Sequence, residues 1–216
     1  MRFLQIFQQL LDHYGAQHWW PGDTPFEVMV GAVLTQNTAW TNVERAIENL
    51  KKNKALDPEV ILDTGSKELA EWLKPSGYFN VKAERLKHFC QWYVGRGGLN
   101  GLKGWHLHDL RADILGVKGI GPETADDILL YALDHPVFVI DAYTRRLFSR
   151  LGLVKGDEGY EQLRFKFEAE LERDVALFNE YHALIVIHAK DTCRKRVPRC
   201  EACCLEDGCR FSKTKD

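Results

Sequence analysis

The chain has 216 residues, of which 45% are hydrophobic and 28% charged, and its formal net charge is −2. These values fit a globular protein of one domain or two small, closely joined ones. No run approaches the roughly 18 apolar residues of a membrane span, and glutamines interrupt the start of the chain, unlike the apolar core of a signal peptide. We therefore expect a cytoplasmic protein that contacts no membrane.

The charge balance gives no sign of a nucleic-acid partner, so any basic surface has to be local. Residues 190–213 hold seven Lys or Arg against four Asp or Glu, and Arg145, Arg146 and Arg150 form a second basic group. Either group can be an ordinary solvated face or a contact surface, and the sequence leaves both interpretations open.

Most of the chain carries apolar residues three or four positions apart, which is the spacing of an amphipathic helix. Capping residues or first-turn prolines mark helix starts at Thr24-Pro25, Pro58 and Pro122. Val137–Ile140 is strand-like, but its four residues are too short for a sheet. The predicted helices are 2–14, 25–35, 40–53, 58–63, 67–73, 79–95, 106–115, 122–134, 141–151, 157–172 and 174–190. Short breaks separate them, which predicts an all-α protein.

Five of the six cysteines lie in the last 24 residues, and four of them have the spacing C-x6-C-x2-C-x5-C. Such density in a cytosolic protein indicates a metal site rather than disulfides. Zinc sites usually take two closely spaced cysteine pairs, and only one pair is present here, so a [4Fe–4S] cluster is favoured and zinc remains the alternative. The predicted ligands are Cys193, Cys200, Cys203 and Cys209. Cys204 is then a thiol that binds no metal, and Cys90 a small buried apolar residue.

Residues 115–121 read L-G-V-K-G-I-G and join two predicted helices. Glycines allow a tight hairpin. The backbone amides of Gly119, Gly121 and the start of the next helix can then form an anion site that holds a phosphate. An ordinary turn between two helices is the competing interpretation. Further along, Asp141 follows an apolar run and heads a helix, a position that also suits a simple N-cap.

Taken together, the hairpin, Asp141 and the cysteine spacing resemble the helix-hairpin-helix DNA glycosylases of the endonuclease III superfamily. The resemblance covers nearly the whole chain and includes Leu34–Thr38 (LTQNT) and Ala183–Cys193. It implies two α-helical lobes with a C-terminal [4Fe–4S] loop and double-stranded DNA bound across the cleft between the lobes. The implied bounds are 23–135 for the lobe with the hairpin, 1–22 plus 136–190 for the lobe built from both chain ends, and 191–211 for the cluster loop. We expect a monomer.

The resemblance also assigns roles. Members of the family flip a damaged base out of the duplex and cut its glycosidic bond. Asp141 takes the position of the family aspartate, which stabilises the positively charged sugar and helps to activate water. Either Gln36 or Asn37 would fill the vacated stack, with a polar helix terminus as the alternative role for both. Lys118, inside the hairpin, would face solvent or contact phosphate.

Glu123 stands where bifunctional members carry a lysine that attacks the sugar as an amine. A carboxylate forms no imine, so the resemblance implies base excision with water as the nucleophile and no efficient strand cleavage. In its other interpretation, Glu123 only stabilises the helix dipole, by about 0.3–1 kcal/mol.

Ala32 stands where the adenine-mismatch branch has its glutamate, and the additional C-terminal recognition domain of that branch is missing, so that branch is disfavoured. The chain has a closer resemblance to the bacterial 3-methyladenine branch. The shared motifs are Trp19-Trp20-Pro21, Leu34–Thr38 followed by Trp40, Pro75–Asn80 (PSGYFN), and the glutamate after the hairpin in Lys118–Asp126. Alkylated purines are cationic and can stack on aromatic rings. The implied pocket residues, each of which could instead be core, are Trp19, Trp20 and Trp40. Lys190 matches a modified pocket lysine of an alkylpurine member that lacks the cluster loop. The alternatives are a glycosylase for mismatched thymine or uracil, and a DNA-damage binding module without turnover.

Overall fold

The computed structural model describes residues 2–19 and 22–214. The described part of the chain is helical and contains no strand, so the prediction of an all-α fold is confirmed. Among these residues no helix is both long and apolar enough to cross a membrane. The helices are α1 (Phe3–Tyr14), α2 (Pro25–Leu34), α3 (Trp40–Lys52), α4 (Pro58–Asp63), α5 (Ser66–Leu73), α6 (Phe79–Gly95), α7 (Gly98–Leu102), α8 (Leu107–Leu115), α9 (Pro122–Tyr131), α10 (Ala142–Leu151), α11 (Tyr160–Glu170) and α12 (Val175–Asp191).

The chain divides into two compact units. The first unit contains the described residues of Met1–Trp19 and Pro136–Asp216, and the second contains those of Trp20–His135. The first unit is thus made from both ends of the chain, and the second from one continuous segment.

An aromatic cluster forms the core of the first unit. The ring of Phe167 contacts those of Phe138, Phe148 and Phe3, with centroids 4.5, 4.5 and 4.8 Å away. The buried hydroxyl of Tyr181 on α12 donates a hydrogen bond of 2.7 Å to the carbonyl of Phe3 on α1. Large rings with matched edges and faces bury much apolar area, so this cluster holds α1, α10, α11 and α12 together.

In the second unit, α2 is the central helix. Its residues from Glu27 to Leu34 are all buried, as expected for a helix that is apolar on every side. Gly31 makes room for a neighbour, since a Cβ atom there would lie 3.1 Å from the ring of Trp40. The buried carboxylate of Glu27 is paired with Lys51 at 2.7 Å.

Helix boundaries differ from the sequence-based ones by more than one residue in three regions. Helix α7 occupies a segment that its glycines predicted to be a break. Helix α9 ends at Tyr131 rather than at residue 134, and Asp134 beyond it has a left-handed φ of 53°. Helix α11 begins at Tyr160, because the carboxylate of Glu158 accepts hydrogen bonds from two preceding backbone amides and holds that segment as a loop.

Candidate functional site

Asp141 lies at the start of α10, directly after the buried extended run Val137–Ile140. Its Oδ1 accepts a hydrogen bond of 2.7 Å from the amide of Thr144, so the carboxylate is a true N-cap. Its Oδ2 lies 3.5 Å from Nε2 of His182 on α12. Capping and a chemical role are compatible, since one oxygen caps the helix while the other faces the imidazole.

Burial by itself raises the pKa of Asp141, but the contacts with His182 and Thr144 outweigh it and leave the pKa below its ordinary value. The carboxylate is therefore ionised at neutral pH although it is buried. A buried, ionised carboxylate is a feature of sites that stabilise positive charge.

Trp19 belongs to the same group of side chains. Its half-buried ring lies 6.1 Å from that of His182, at an interplanar angle of 31°. An aromatic ring, an imidazole and a carboxylate thus follow one another within the first unit. Trp20, the other tryptophan of the pair, lies outside the described residues. Lys190 is exposed near the end of α12, with its ammonium 5.9 Å from the ring of Tyr143.

The hairpin of the second unit lies between α8 and α9. Gly119 has a φ of +94°, and a Cβ atom there would lie 2.5 Å from the side chain of Arg85, so both conformation and space require glycine. Gly121 precedes α9, whose first amides have no partner within the helix by geometry. Lys118, directly before Gly119, is exposed. This is the geometry of an anion site at a helix N-terminus.

In the loop after α2, the neighbouring residues Gln36 and Asn37 have different surroundings. The amide of Gln36 donates to the carbonyl of Gly119 at 3.3 Å and to Oγ1 of Thr124 at 3.1 Å, while its oxygen accepts from Arg85. Gln36 thus fastens the loop to the hairpin. Asn37 is exposed and has a left-handed φ of 55°.

Trp40 and Glu123 complete the predicted set in the second unit. Trp40 is half-buried at the start of α3, where its ring packs on Gly31 and its Nε1 donates to Glu44 at 3.0 Å. Part of this ring is therefore core, which was one of its two interpretations. Glu123 is exposed in the first turn of α9, where a carboxylate complements the helix dipole.

Four of the C-terminal cysteines surround one pocket of the first unit. Four thiols line it, and Cys204 does not; they are Cys193, Cys200, Cys203 and Cys209. Within residues 2–19 and 22–214, no three His, Cys, Asp or Glu side chains converge as the ligands of a single ion would. Burial raises the pKa of the Cys203 thiol to about 12. Four soft thiol donors around one pocket fit an iron–sulfur cluster, whose corners are separated in space.

Arg150 fastens the loop that carries these cysteines. Its guanidinium donates to the carbonyls of Cys193, Arg194 and Lys195 at 3.3, 2.7 and 3.1 Å, and to Sγ of Cys193 at 3.3 Å. It also lies 4.7 Å from the ring of Phe211.

The other two arginines of this basic group also donate to carbonyls. Arg146 donates to Cys193 and Ala189, and Arg145 donates to Glu158. All three arginines of the group therefore help to organise the chain, and each of them is also partly exposed.

Sequence reasoning missed the partners of the predicted residues. His182 is a polar residue on an otherwise apolar stretch of α12, and this irregularity is the signal that could have found it. Arg85 and Thr124 gave no such signal, because only the fold brings them to Gln36.

Comparison with known proteins agrees with this arrangement. The model of the HhH-GPD superfamily base excision DNA repair protein matches residues 30–173. A protein of Methanocaldococcus jannaschii assigned as a DNA repair glycosylase is 46% identical over 208 residues, covering 95% of this chain and 94% of the relative. The endonuclease III of Haemophilus influenzae is 29% identical over 195 residues, covering 88% and 86%. The structure of the 3-methyladenine DNA glycosylase of H. pylori, bound to 1,N6-ethenoadenine, is similar with a TM-score of 0.78 and 29% identity, covering 88% of this chain and 98% of that one.

The chain therefore belongs to the HhH-GPD superfamily of base excision DNA repair proteins. Within it, the chain is an endonuclease III-like DNA N-glycosylase. The family, the fold class and the enzyme class expected from the sequence are confirmed.

Proposed function

We propose that this protein is a monofunctional glycosylase that hydrolyses the N-glycosidic bond of alkylated purines, such as 3-methyladenine, in double-stranded DNA. The observation that carries the proposal is the buried, ionised carboxylate of Asp141, grouped with His182 and the ring of Trp19. This group offers a negative charge for the sugar and a π-face for the base.

In the proposed reaction, the damaged nucleotide is flipped out of the duplex and its glycosidic bond breaks, so that positive charge develops on the sugar. The ionised Asp141 stabilises that charge and orients a water molecule that attacks the anomeric carbon. The Thr144 amide donates to the first oxygen of the carboxylate, and Nε2 of His182 lies 3.5 Å from the second, so the carboxylate is oriented before the reaction. The cationic base takes the electron pair of the broken bond and leaves as a neutral molecule. The water supplies the new hydroxyl on the anomeric carbon, and its proton passes to the Asp141 carboxylate and then to solvent.

The monofunctional part of the proposal rests on Glu123, in the first turn of α9. At this position the bifunctional relatives carry the lysine that forms an imine with the sugar. A carboxylate cannot form that bond, so water remains the nucleophile and the phosphate backbone stays intact.

The substrate class follows from the aromatic group and from similarity. A cationic purine gains about 1–2 kcal/mol from stacking on an electron-rich ring when both are desolvated. Trp19 is the described ring that lies beside the Asp141 group, and Trp20 and Trp40 are further candidates. The 3-methyladenine glycosylase of H. pylori, at 29% identity, supports the same class. Lys190, whose ammonium lies 5.9 Å from the ring of Tyr143, remains a candidate pocket residue.

For the DNA contact, we propose that Gly119, Gly121 and Lys118 hold a backbone phosphate at the hairpin, and that Asn37 enters the vacated stack. The side-chain amide of Gln36 already donates to Gly119 and Thr124, and its oxygen accepts from Arg85. Asn37, by contrast, has an exposed side chain.

We further propose that the four thiols that line the C-terminal pocket bind a [4Fe–4S] cluster. Such a cluster would cross-link a tail with little core of its own, and Arg150 would neutralise part of its negative charge through Cys193. Iron and sulfide analysis of protein purified without oxygen tests this: about four of each per chain support it, and stoichiometric zinc would contradict it.

The experiment that tests the function is a base-release assay on matched duplexes that contain 3-methyladenine, 7-methylguanine, uracil, T:G or A:8-oxoguanine. Release of methylpurines supports the proposal. Release of uracil or thymine alone would replace it with the mismatch activity, and tight binding without release of any base would indicate a binding module.

A further inference from the structure

Lys82 is a charged residue in the core of the second unit. It lies on α6, near the start of the helix, and only 1% of it is exposed. Lysines are almost never fully buried unless their ammonium is satisfied. The position is unfavourable in a second way, because the N-terminal end of a helix is the positive end of its dipole. The residue is therefore explained by its contacts rather than by the stability of α6.

The ammonium of Lys82 makes three hydrogen bonds. It donates to the carbonyl of Ser76 at 2.6 Å, to the carbonyl of Leu34 at 2.8 Å and to Oγ1 of Thr38 at 3.0 Å. Lysine has three donors, so all of them are used. Leu34 ends α2, and Ser76 ends a 3-10 turn, and carbonyls at helix ends lack partners within the helix. One buried ammonium thus joins two helix ends.

Each of these helix ends is followed by an exposed tip. The first tip is Asn37, with a φ of 55°, and the second is Tyr78, with a φ of 46° and 72% exposure. Left-handed conformations are uncommon for residues other than glycine and persist only where the surroundings hold them. Thr38 also donates to the carbonyl of Ser76, so the two segments are bonded to each other as well as to Lys82.

We propose that Lys82 is a positioning residue that clamps the tips at Asn37 and Tyr78 into one rigid wedge, which enters the DNA stack when a base is flipped. The proposal rests on the proposed function, because it assigns Asn37 to the vacated stack. Flipping a paired base costs unpairing and unstacking energy, which rigid tips can supply by filling the stack. A base that is already unpaired costs less to flip, so its excision depends less on rigid tips.

The test compares Lys82→Met with Lys87→Met. Methionine keeps much of the length and removes the donors. Lys87 lies on the same helix. Its ammonium donates to the carbonyl of Leu62 at 3.0 Å and to that of Thr64, at the end of α4, and neither acceptor belongs to the two tips. Both variants lose hydrogen bonds to a helix end, buried ones for Lys82 and part-buried ones for Lys87, so the second controls for a general loss of stability.

The readout is the excision rate for a lesion in a fully paired duplex, divided by the rate for the same lesion in an unpaired bulge. For Lys82→Met we expect this ratio to fall by about 10- to 100-fold, the size of a misplacement effect. For Lys87→Met we expect the ratio of the wild type. An equal loss on both substrates would mean that Lys82 only supports the fold, and would overturn the proposal.

Two additions keep the test decisive. Thr38→Val removes one acceptor of Lys82 and its bond to Ser76 at nearly constant volume, so it should shift the ratio in the same direction if Lys82→Met does not fold.

Fluorescence of 2-aminopurine beside the lesion reports unstacking on binding, without turnover. A wild type that raises this fluorescence but releases no base would contradict the proposed function alone. An undiminished rise with both folded variants would overturn the clamp.

Discussion

Replacing Asp141 with asparagine tests the chemistry with little change in structure. Asparagine caps helices about as well as aspartate, so the bond from the Thr144 amide to Oδ1, 2.7 Å long, can be kept. What is lost is the negative charge on the oxygen that faces His182. The substitution therefore separates the charge of the residue from its capping role.

The size of the effect follows from electrostatics. A unit charge about 4 Å from a developing positive charge, at an effective dielectric constant of about 20, contributes about 4 kcal/mol. Each 1.36 kcal/mol, roughly, changes a rate tenfold, so we expect Asp141→Asn to slow excision by about 1,000-fold. The free energy of unfolding should change by no more than about 1 kcal/mol, and DNA affinity should be retained.

Single-turnover excision, thermal unfolding and DNA binding are measured side by side, with Asp174→Asn as the matched control. Asp174 caps α12 in the same way, with a bond of 2.7 Å from the amide of Leu177, but is exposed. The control should excise the base at the rate of the wild type. Excision by Asp141→Asn within tenfold of the wild type, in a folded protein, would refute the assigned role.

Three further predictions concern Glu123, Arg150 and the acid limb of stability. Borohydride should trap no complex of the wild type with DNA, whereas Glu123→Lys should give a trapped complex; the same gel checks both, and a wild-type adduct would contradict the monofunctional proposal. Arg150→Met should lower iron per chain and speed the loss of visible absorbance, because four donations to the cysteine loop disappear. Arg145 donates to the carbonyl of Glu158, outside the cysteine loop, so Arg145→Met is the control and should keep its iron. Folding lowers the pKa of Asp141. The ionised carboxylate should therefore contribute fully to stability above its unfolded pKa of about 3.9, and this contribution should be lost as the pH falls through the folded pKa. A difference in unfolding free energy between wild type and Asp141→Asn that widens in acid would contradict this prediction.

Much of the fold was predictable because it is local. Helix starts at Pro25, Pro58 and Pro122 follow from capping and first-turn chemistry, and the structure has all three. The segment 98–102 was missed because its glycines predict a break, although contacts in the folded unit are enough to form a short helix.

Long-range contacts were not predictable in the same way. The sequence left Gln36 and Asn37 equivalent, and only the bonds of Gln36 to Arg85, Gly119 and Thr124 distinguish them. Lys82 looks like a surface lysine in sequence, since nothing local shows that its helix face is buried. Likewise, the sequence left the basic group at Arg150 as either a solvated face or a contact surface, and it did not show that Arg150 donates to the cysteine loop.

The most direct test of the account is one reaction with wild-type protein and a duplex that contains a single 3-methyladenine, in which the released base and the length of the strand are measured together. We expect free 3-methyladenine and an uncut strand that breaks only on later treatment with alkali. A strand cut by the protein itself, or no release from this duplex while a T:G or uracil duplex is processed, would contradict it.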